Sequence, residues 1–207
     1  GPLYVAGAPM SEGFARMDDG SDETAETMIL TGQVTDENGQ PVANAVVDVW
    51  HANTMGNYSY FDQSQSDYNL RRRIKTDENG RYTAQSIIPA GYGCPPEGST
   101  QALLNLLGRH GNRPAHIHFF VSKPGYKHLT TQINLAGDEY TYDDFAFATR
   151  EELVVEANRI EDPAKAEQFG LNKPFTEVEF NIQLVATDKP ELQSRHERKR
   201  ALEGEAA

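Results

Sequence analysis

The segment FTEVEFNIQLVA, residues 175–186, alternates apolar and polar side chains along most of its length. Successive side chains of a β-strand point to opposite faces, so every second residue shares a face. The alternation predicts a strand with one buried face and one face turned outward. The residues on the predicted buried face are Val178, Phe180, Ile182 and Leu184.

Several other short segments have the composition of strands. They are MILTGQV (28–34), AVVDVWHA (45–52), RRRIK (71–75), RYTAQSI (81–87), AHIHFFVS (115–122) and KHLTTQINL (127–135). Many short strands separated by turn signals are typical of sandwiches. We therefore predict a mainly β fold, a β-sandwich of mixed strands with long loops and a few short helices.

The pentapeptide TDENG occurs twice, at residues 35–39 and 76–80, each time between two predicted strands. Asn-Gly favours tight turns because both positions accept positive φ. Both copies are interpreted as hairpin turns, the same turn used twice. QALLNLL (101–107) has helical spacing and stops at Gly108, whereas residues 1–26 have the composition of a loop.

The chain has 207 residues and a formal net charge of −12, which argues against nucleic-acid binding. It contains no apolar run long enough to span a membrane, and its start lacks the features of a signal peptide. The single cysteine, Cys94, fits a reducing compartment, so we expect a cytoplasmic protein. We predict one domain over residues 1–186 and a charged tail over 187–207, helical or frayed, which contains the basic cluster RHERKR (195–200).

The segment RPAHIHFF, residues 113–120, places His116 and His118 on one face of a predicted strand. Two histidines with this spacing either bind a metal or pack without one. Tyr58 and Tyr92 lie in Gly/Pro-rich loops that follow predicted strands, where functional side chains are common. No CxxC or HExxH zinc motif is present. A ferrous site would need a carboxylate, and the candidates nearby in the sequence are Asp138, Glu139, Asp143 and Asp144.

Five segments together resemble the intradiol ring-cleavage dioxygenases. They are GPLYVAGAP (1–9), VDVWHANTMGNYSYFD (47–62), TDENGRYTAQSIIPAGYGCPPEG (76–98), LLGRHGNRPAHIHFFVS (106–122) and DDFAFATR (143–150). The resemblance runs from residue 1 to about 186. It implies one non-haem Fe(III) per chain with four ligands, Tyr58, Tyr92, His116 and His118. It favours Tyr58 over the neighbouring Tyr60, which is expected to pack.

The same resemblance implies cleavage of a catechol ring by O2 to cis,cis-muconate, as in aromatic-compound degradation. It implies that Tyr92 accepts a substrate proton, that Arg113 stabilises negative charge on the ring, and that Gln132 supports the metal ligands. The residues expected to contact the ring are Pro2, Leu3, Arg113, Phe145 and Ala146. These resemble the pattern for plain catechol more than those for chlorocatechol or hydroxyquinol.

Two alternatives come from other classes of protein. TGQVTDENGQPVANAVVDVW (31–50) by itself resembles non-catalytic, prealbumin-like binding modules. The His116 and His118 pair could instead belong to a zinc or ferrous hydrolase. The dioxygenase family further implies a homodimer, formed through a helical segment expected to precede residue 1.

Overall fold

The computed structural model describes residues 3–189, which form fourteen strands and two α-helices. The strands, in chain order, are β1 (Met10–Glu12), β2 (Phe14–Arg16), β3 (Thr27–Thr35), β4 (Val46–His51), β5 (Arg71–Lys75), β6 (Arg81–Ile87), β7 (Tyr92–Gly93), β8 (Asn112–Arg113), β9 (His116–Ser122), β10 (Leu129–Leu135), β11 (Val154–Val155), β12 (Asn158–Ile160), β13 (Phe175–Glu179) and β14 (Ile182–Gln183). The helices are α1 (Ser99–Leu106) and α2 (Pro163–Glu167), and a 3-10 turn covers Glu151–Leu153.

Two six-stranded sheets pack face to face. The first has the order β1-β5-β4-β9-β10-β11, and the second has the order β12-β13-β3-β6-β2 with β14 beside β3. Both sheets mix parallel and antiparallel pairs. One apolar core lies between them, with Val49 and Phe119 from the first sheet and Leu30 and Val178 from the second. The predicted mainly β sandwich is therefore confirmed.

Both predicted hairpins are wrong. β3 pairs with β6, β13 and β14, whereas β4 pairs with β5 and β9 in the other sheet. β5 and β6 are likewise in different sheets. The two TDENG turns nevertheless have the same geometry: the side chains of Asp36 and Asp77 each accept two backbone N–H groups, and Gly39 and Gly80 have φ of 76° and 70°. Each turn carries the chain across the sandwich, from one sheet to the other.

The segment predicted as a loop over residues 1–26 contains β1 and β2, which add parallel edge strands to β5 and β6. The alternation in 175–186 is confirmed for Val178, Ile182 and Leu184, which are buried, whereas Phe180 is half-buried. The predicted helix is α1, and Gly108 follows it with φ of 66°.

Residues 187–189 are the part of the expected tail that the structure describes, and the basic cluster 195–200 lies outside the described residues. The boundary after residue 186 stays a prediction. Within residues 3–189 no helix is long and apolar enough to cross a membrane.

The outward face of the first sheet carries polar and aromatic side chains in cross-strand rows. Directly opposed residues of antiparallel strands share a face. One such row runs across four strands as Arg71, Trp50, His118 and Gln132. This row and the adjacent His116 form the floor of the site described next.

Candidate metal centre and ring-binding cleft

His116 and His118 lie on the same face of β9, as predicted, while Ile117 and Phe119 point into the core. The two Nε2 atoms are 3.1 Å apart. His116 Nδ1 is 2.6 Å from the carbonyl oxygen of Pro114, and because a carbonyl can only accept, Nδ1 carries the proton. His116 Nε2 therefore presents a lone pair, which is the form that binds a metal.

Both tyrosines predicted as ligands come to the same place. Tyr58 Oη is 3.4 Å from His116 Nε2. The Tyr92 ring lies 5.3 Å from the His116 ring and 5.6 Å from the Tyr58 ring, between centroids. The four predicted ligands thus form one cluster of two phenols and two imidazoles, which we call the donor cluster. Tyr60 is about half exposed, so its side chain does not belong to it.

The loop that carries Tyr58 fits closely against Tyr92, and this contact depends on Gly56. Its φ is 77°, a conformation that L side chains rarely adopt. A Cβ at Gly56 would lie 2.6 Å from the Gly91 carbonyl oxygen and 2.9 Å from Tyr92 Cβ. Tyr92 in turn belongs to the small sheet β7-β8, where it is the direct partner of Arg113. The glycine-rich composition of both loops therefore serves to bring the two phenols together.

Burial favours the neutral form of three side chains of the donor cluster, Tyr58, His116 and His118. Burial and the neighbouring Arg113 lower the pKa of His116 to about 4. Burial also lowers the pKa of His118 well below its ordinary value. Burial and the nearby Tyr92 raise the pKa of Tyr58 above its ordinary value. Neutral imidazoles are ready to bind a cation, whereas the Tyr58 phenol would have to release its proton to one.

The chemistry of the donor set fits ferric iron. Two phenol oxygens become hard anionic ligands on binding, and two imidazole nitrogens complete a mixed oxygen and nitrogen set. Among the described residues, no three His, Cys, Asp or Glu side chains come together as a metal site. Any metal held by His116 and His118 therefore depends on the tyrosines.

The structure gives other partners to three of the four carboxylates considered for a ferrous site. Asp144 pairs with Arg113, and Asp143 lies against Arg109 and His110. Asp138 accepts the backbone N–H groups of Ala115 and Tyr140. The two-histidine, one-carboxylate alternative therefore has no support in this geometry.

Arg113 is the buried cation beside the donor cluster. Its Nη1 is 3.3 Å from Tyr92 Oη and 3.0 Å from His116 Nε2. Its Nε and Nη2 each donate to Asp144 at 3.1 Å, and Nη2 also donates to Gln132 Oε1 at 3.0 Å. The pair with Asp144 is bidentate, which fixes the plane of the guanidinium. Gln132 reaches the donor cluster through Arg113, and its own Nε2 donates to Asn134 Oδ1. The roles predicted for Arg113 and Gln132 stay predictions.

Two further side chains, Asp144 and Trp50, support the site in ways that the sequence did not indicate. Asp144 was considered only as a metal ligand, yet it orients Arg113. Trp50 stacks on the His118 ring with centroids 4.9 Å apart and planes 10° apart. The signals that could have found them are the motif DDFAFATR for Asp144 and the alternation of β4 for Trp50.

A cleft of about 1130 Å³ opens onto the donor cluster. Its walls include Tyr58, Tyr92 and His118, three of the four side chains of the donor cluster. The predicted ring contacts Leu3, Phe145 and Ala146 line it, as do Arg113 and Gln132. Pro2 lies outside the described residues. A largely apolar cleft with a few convergent polar groups at its base suits a flat aromatic ligand.

Comparison with known proteins places these features in a family. Residues 1–186 match the family model described as Dioxygenase. The chain is 62% identical over 186 residues to catechol 1,2-dioxygenase of Acinetobacter guillouiae, covering 89% of this chain and 61% of that protein. It is 60% identical to catechol 1,2-dioxygenase of Pseudomonas sp. (strain EST1001), covering 94% and 65%.

Solved structures agree with the sequence matches. The crystal structure of catechol 1,2-dioxygenase from Pseudomonas arvilla C-1 superposes with a TM-score of 0.92 at 56% identity, covering 99% of this chain and 66% of that one. The chain therefore spans a little under two thirds of the length of the curated relatives named above.

Proposed function

This chain belongs to the intradiol ring-cleavage dioxygenase family, and from that membership we propose that it cleaves catechol with O2 to cis,cis-muconate. The cleaved bond joins the two hydroxyl-bearing carbons, and both atoms of O2 enter the product. The observation that supports the proposal most strongly is the donor cluster of Tyr58, Tyr92, His116 and His118 at the base of an apolar cleft.

Those four side chains would hold one Fe(III) per chain. Ferric iron, when bound there, would supply the Lewis acidity that activates a catechol ring toward O2. The two tyrosines, as phenolates, would offset much of its charge, and the hydrogen bond that His116 Nδ1–H donates to the Pro114 carbonyl keeps Nε2 available.

Tyr92 is the side chain proposed to move a proton. It lines the cleft and is only partly buried, so its Oη can meet a catechol hydroxyl. Arg113 Nη1 donates to that oxygen, so the guanidinium lies beside the atom that would take up the proton. We propose Tyr92 Oη as the base for one of the two catechol protons.

Arg113 is proposed to stabilise the negative charge that develops on the ring. Its guanidinium is buried and held in one plane by Asp144 and Gln132, so it needs no reorganisation when that charge forms. Leu3, Phe145 and Ala146 would hold the ring in place and exclude water. We favour unsubstituted catechol because these residues resemble the family's pattern for plain catechol, and no observation favours chlorocatechol or hydroxyquinol.

Isotope labelling tests this proposal directly. The iron-loaded chain is incubated with catechol under ¹⁸O2, and we expect muconate that carries two labelled atoms. A prealbumin-like binding module or a hydrolase would leave catechol intact. The same sample should absorb visible light, because a phenolate bound to ferric iron does and a zinc-loaded sample does not.

The homodimer, the cytoplasmic location and the absence of nucleic-acid binding remain predictions from the sequence. Analytical ultracentrifugation tests the first of these when the protein includes the helical segment expected to precede residue 1. A single monomeric species of that longer protein at micromolar concentration would contradict the predicted dimer.

A further inference from the structure

Each tyrosine of the donor cluster lies against a different buried guanidinium. Arg113 Cζ is 5.9 Å from the centroid of the Tyr92 ring, and Arg71 Cζ is 5.7 Å from the centroid of the Tyr58 ring. The two arginines differ in how their charge is balanced. Arg113 forms a bidentate ion pair with Asp144, whereas Arg71 forms no ion pair with any described residue.

All three nitrogens of Arg71 donate to neutral oxygens. Nε donates to Ser59 Oγ at 3.0 Å, and Nη2 donates to the Ser59 carbonyl at 3.0 Å. The guanidinium therefore forms two hydrogen bonds with the residue next to Tyr58. Nη1 donates to the Leu3 carbonyl at 2.8 Å, and Leu3 lines the cleft. One buried side chain therefore joins the Tyr58 loop to a wall of the cleft.

Arg71 also belongs to the sheet row that carries His118. It is the direct cross-strand partner of Trp50, and Trp50 is the partner of His118 and stacks on its ring. The position of Arg71 is thus fixed by the sheet, while its guanidinium reaches out to the loop. A loop tied to a sheet residue at two points has few ways to move its tyrosine.

We propose that Arg71 is the positioning residue for Tyr58: it fixes the loop through Ser59 and places beside the Tyr58 ring a cation that forms no ion pair with any described residue. This inference rests on the proposed function, because it concerns Tyr58 as a ligand of ferric iron. The difference between the two arginines suits two different roles, Tyr58 as a fixed ligand and Tyr92 as a ligand that also accepts a proton. Tyr58 is 4% exposed and lies beside a cation without a direct ion-pair partner among the described residues, whereas Tyr92 faces the cleft beside the Arg113–Asp144 ion pair.

The charge has a measurable optical consequence. In a ferric phenolate, visible light moves an electron from the phenolate to the iron. An electron that leaves the Tyr58 ring moves away from the Arg71 cation, which costs energy by Coulomb's law. Removing the cation should therefore lower the transition energy and shift the visible band to longer wavelength.

The experiment compares the full chain with three variants, each loaded with Fe(III). Arg71→Met removes both the charge and the planar guanidinium with its several donors. Arg71→Lys keeps the charge but lacks the planar guanidinium. The matched control is Arg73→Met, two residues along β5 on the same face, where Nε donates to the Ala8 carbonyl rather than to the Tyr58 loop. The readouts are the visible band and the iron dissociation constant, measured by competition with a chelator.

We expect Arg71→Met to bind iron about 10- to 100-fold more weakly, as is common for residues that orient metal ligands, and to show the longer wavelength. Arg71→Lys should bind more weakly with its band close to that of the parent chain. Arg73→Met should leave both unchanged. Circular dichroism identifies a variant that does not fold. If Arg71→Met does not fold, the iron affinity of Arg71→Lys tests the inference instead.

The inference is overturned if Arg71→Met matches Arg73→Met in both readouts, or if Arg71→Lys binds iron as tightly as the parent chain. A band in Arg71→Lys displaced as far as in Arg71→Met would refute the role of the charge. Failure of the proposed function is a separate result, because the parent chain itself would then show no visible band with Fe(III).

Discussion

Replacing Arg113 by Met should damage turnover and stability by separate physical routes. Loss of one preorganised electrostatic stabiliser costs about 3–4 kcal/mol in the barrier, which is roughly a 10²- to 10³-fold loss of turnover. The same change leaves the Asp144 carboxylate buried without its cation, and breaking a buried pair costs about 3–5 kcal/mol of stability. Asp144 still accepts the N–H groups of Ala146 and Ala148, so we expect the lower end of that range.

The double variant Arg113→Met with Asp144→Asn separates the two routes. It removes the unpaired charge, so the free energy of unfolding measured in urea should return close to that of the parent chain. Turnover should stay low, because the guanidinium beside Tyr92 is still missing. Arg113→Lys should restore little, since one ammonium cannot bind Asp144 at two points and also reach Gln132 and Tyr92.

The assays are O2 uptake with catechol, urea unfolding, and the iron content of each variant, which should stay near one per chain. Normal turnover in the single Met variant would assign Arg113 to structure alone. Recovery of turnover together with stability in the double variant would show that the loss came from distortion, and would refute the electrostatic role.

Tyr92→Phe should retain iron but lose about 10²- to 10⁴-fold in turnover, measured by O2 uptake, and near-normal turnover would contradict its role as a base. Tyr58→Phe should weaken both iron binding and the visible band, whereas the control Tyr60→Phe should leave both unchanged because Tyr60 is half exposed; equal effects would reject Tyr58 as the ligand. Burial raises the pKa of Asp48 to about 7, although the Tyr4 hydroxyl donates to it. The folded chain then keeps a proton that the unfolded chain releases from about pH 4, so Asp48 makes stability fall as pH rises toward 7. Asp48→Asn should flatten that fall in urea unfolding, and an unchanged slope would contradict the shift.

The turns show where prediction from the sequence succeeds and where it ends. TDENG specifies a tight turn twice, and both copies have the same hydrogen bonds from Asp36 and Asp77. The sequence does not specify which sheet the following strand joins. That choice depends on core packing between residues far apart in the chain, and a pattern that ends at the turn contains no information about it. The hairpin interpretation failed for this reason.

The meeting of the four side chains in the donor cluster was easier to predict because each lies in its own short, distinctive segment. Trp50 and Asp144 were harder, since their roles appear only when strands β4 and β9, or a distant loop and β8, are side by side. Neither residue stands out in the sequence. Trp50 supports the site because the register of β4 and β9 places it opposite His118, and Asp144 does so because its loop comes close to Arg113. Local motifs therefore identify ligands more readily than the side chains that hold them.

Arg71 is the side chain whose role was hardest to predict from the sequence. It is the first of three consecutive arginines in RRRIK, and alternation places Arg71 and Arg73 on one face without distinguishing them. What separates them is the loop that carries Tyr58, because it folds over Arg71 and supplies the Ser59 oxygens. That loop buries Arg71 to 1% exposure and leaves Arg73 half-buried. A strand that looks merely basic in the sequence thus contains one cation whose environment, rather than its identity, suits it to hold a metal ligand.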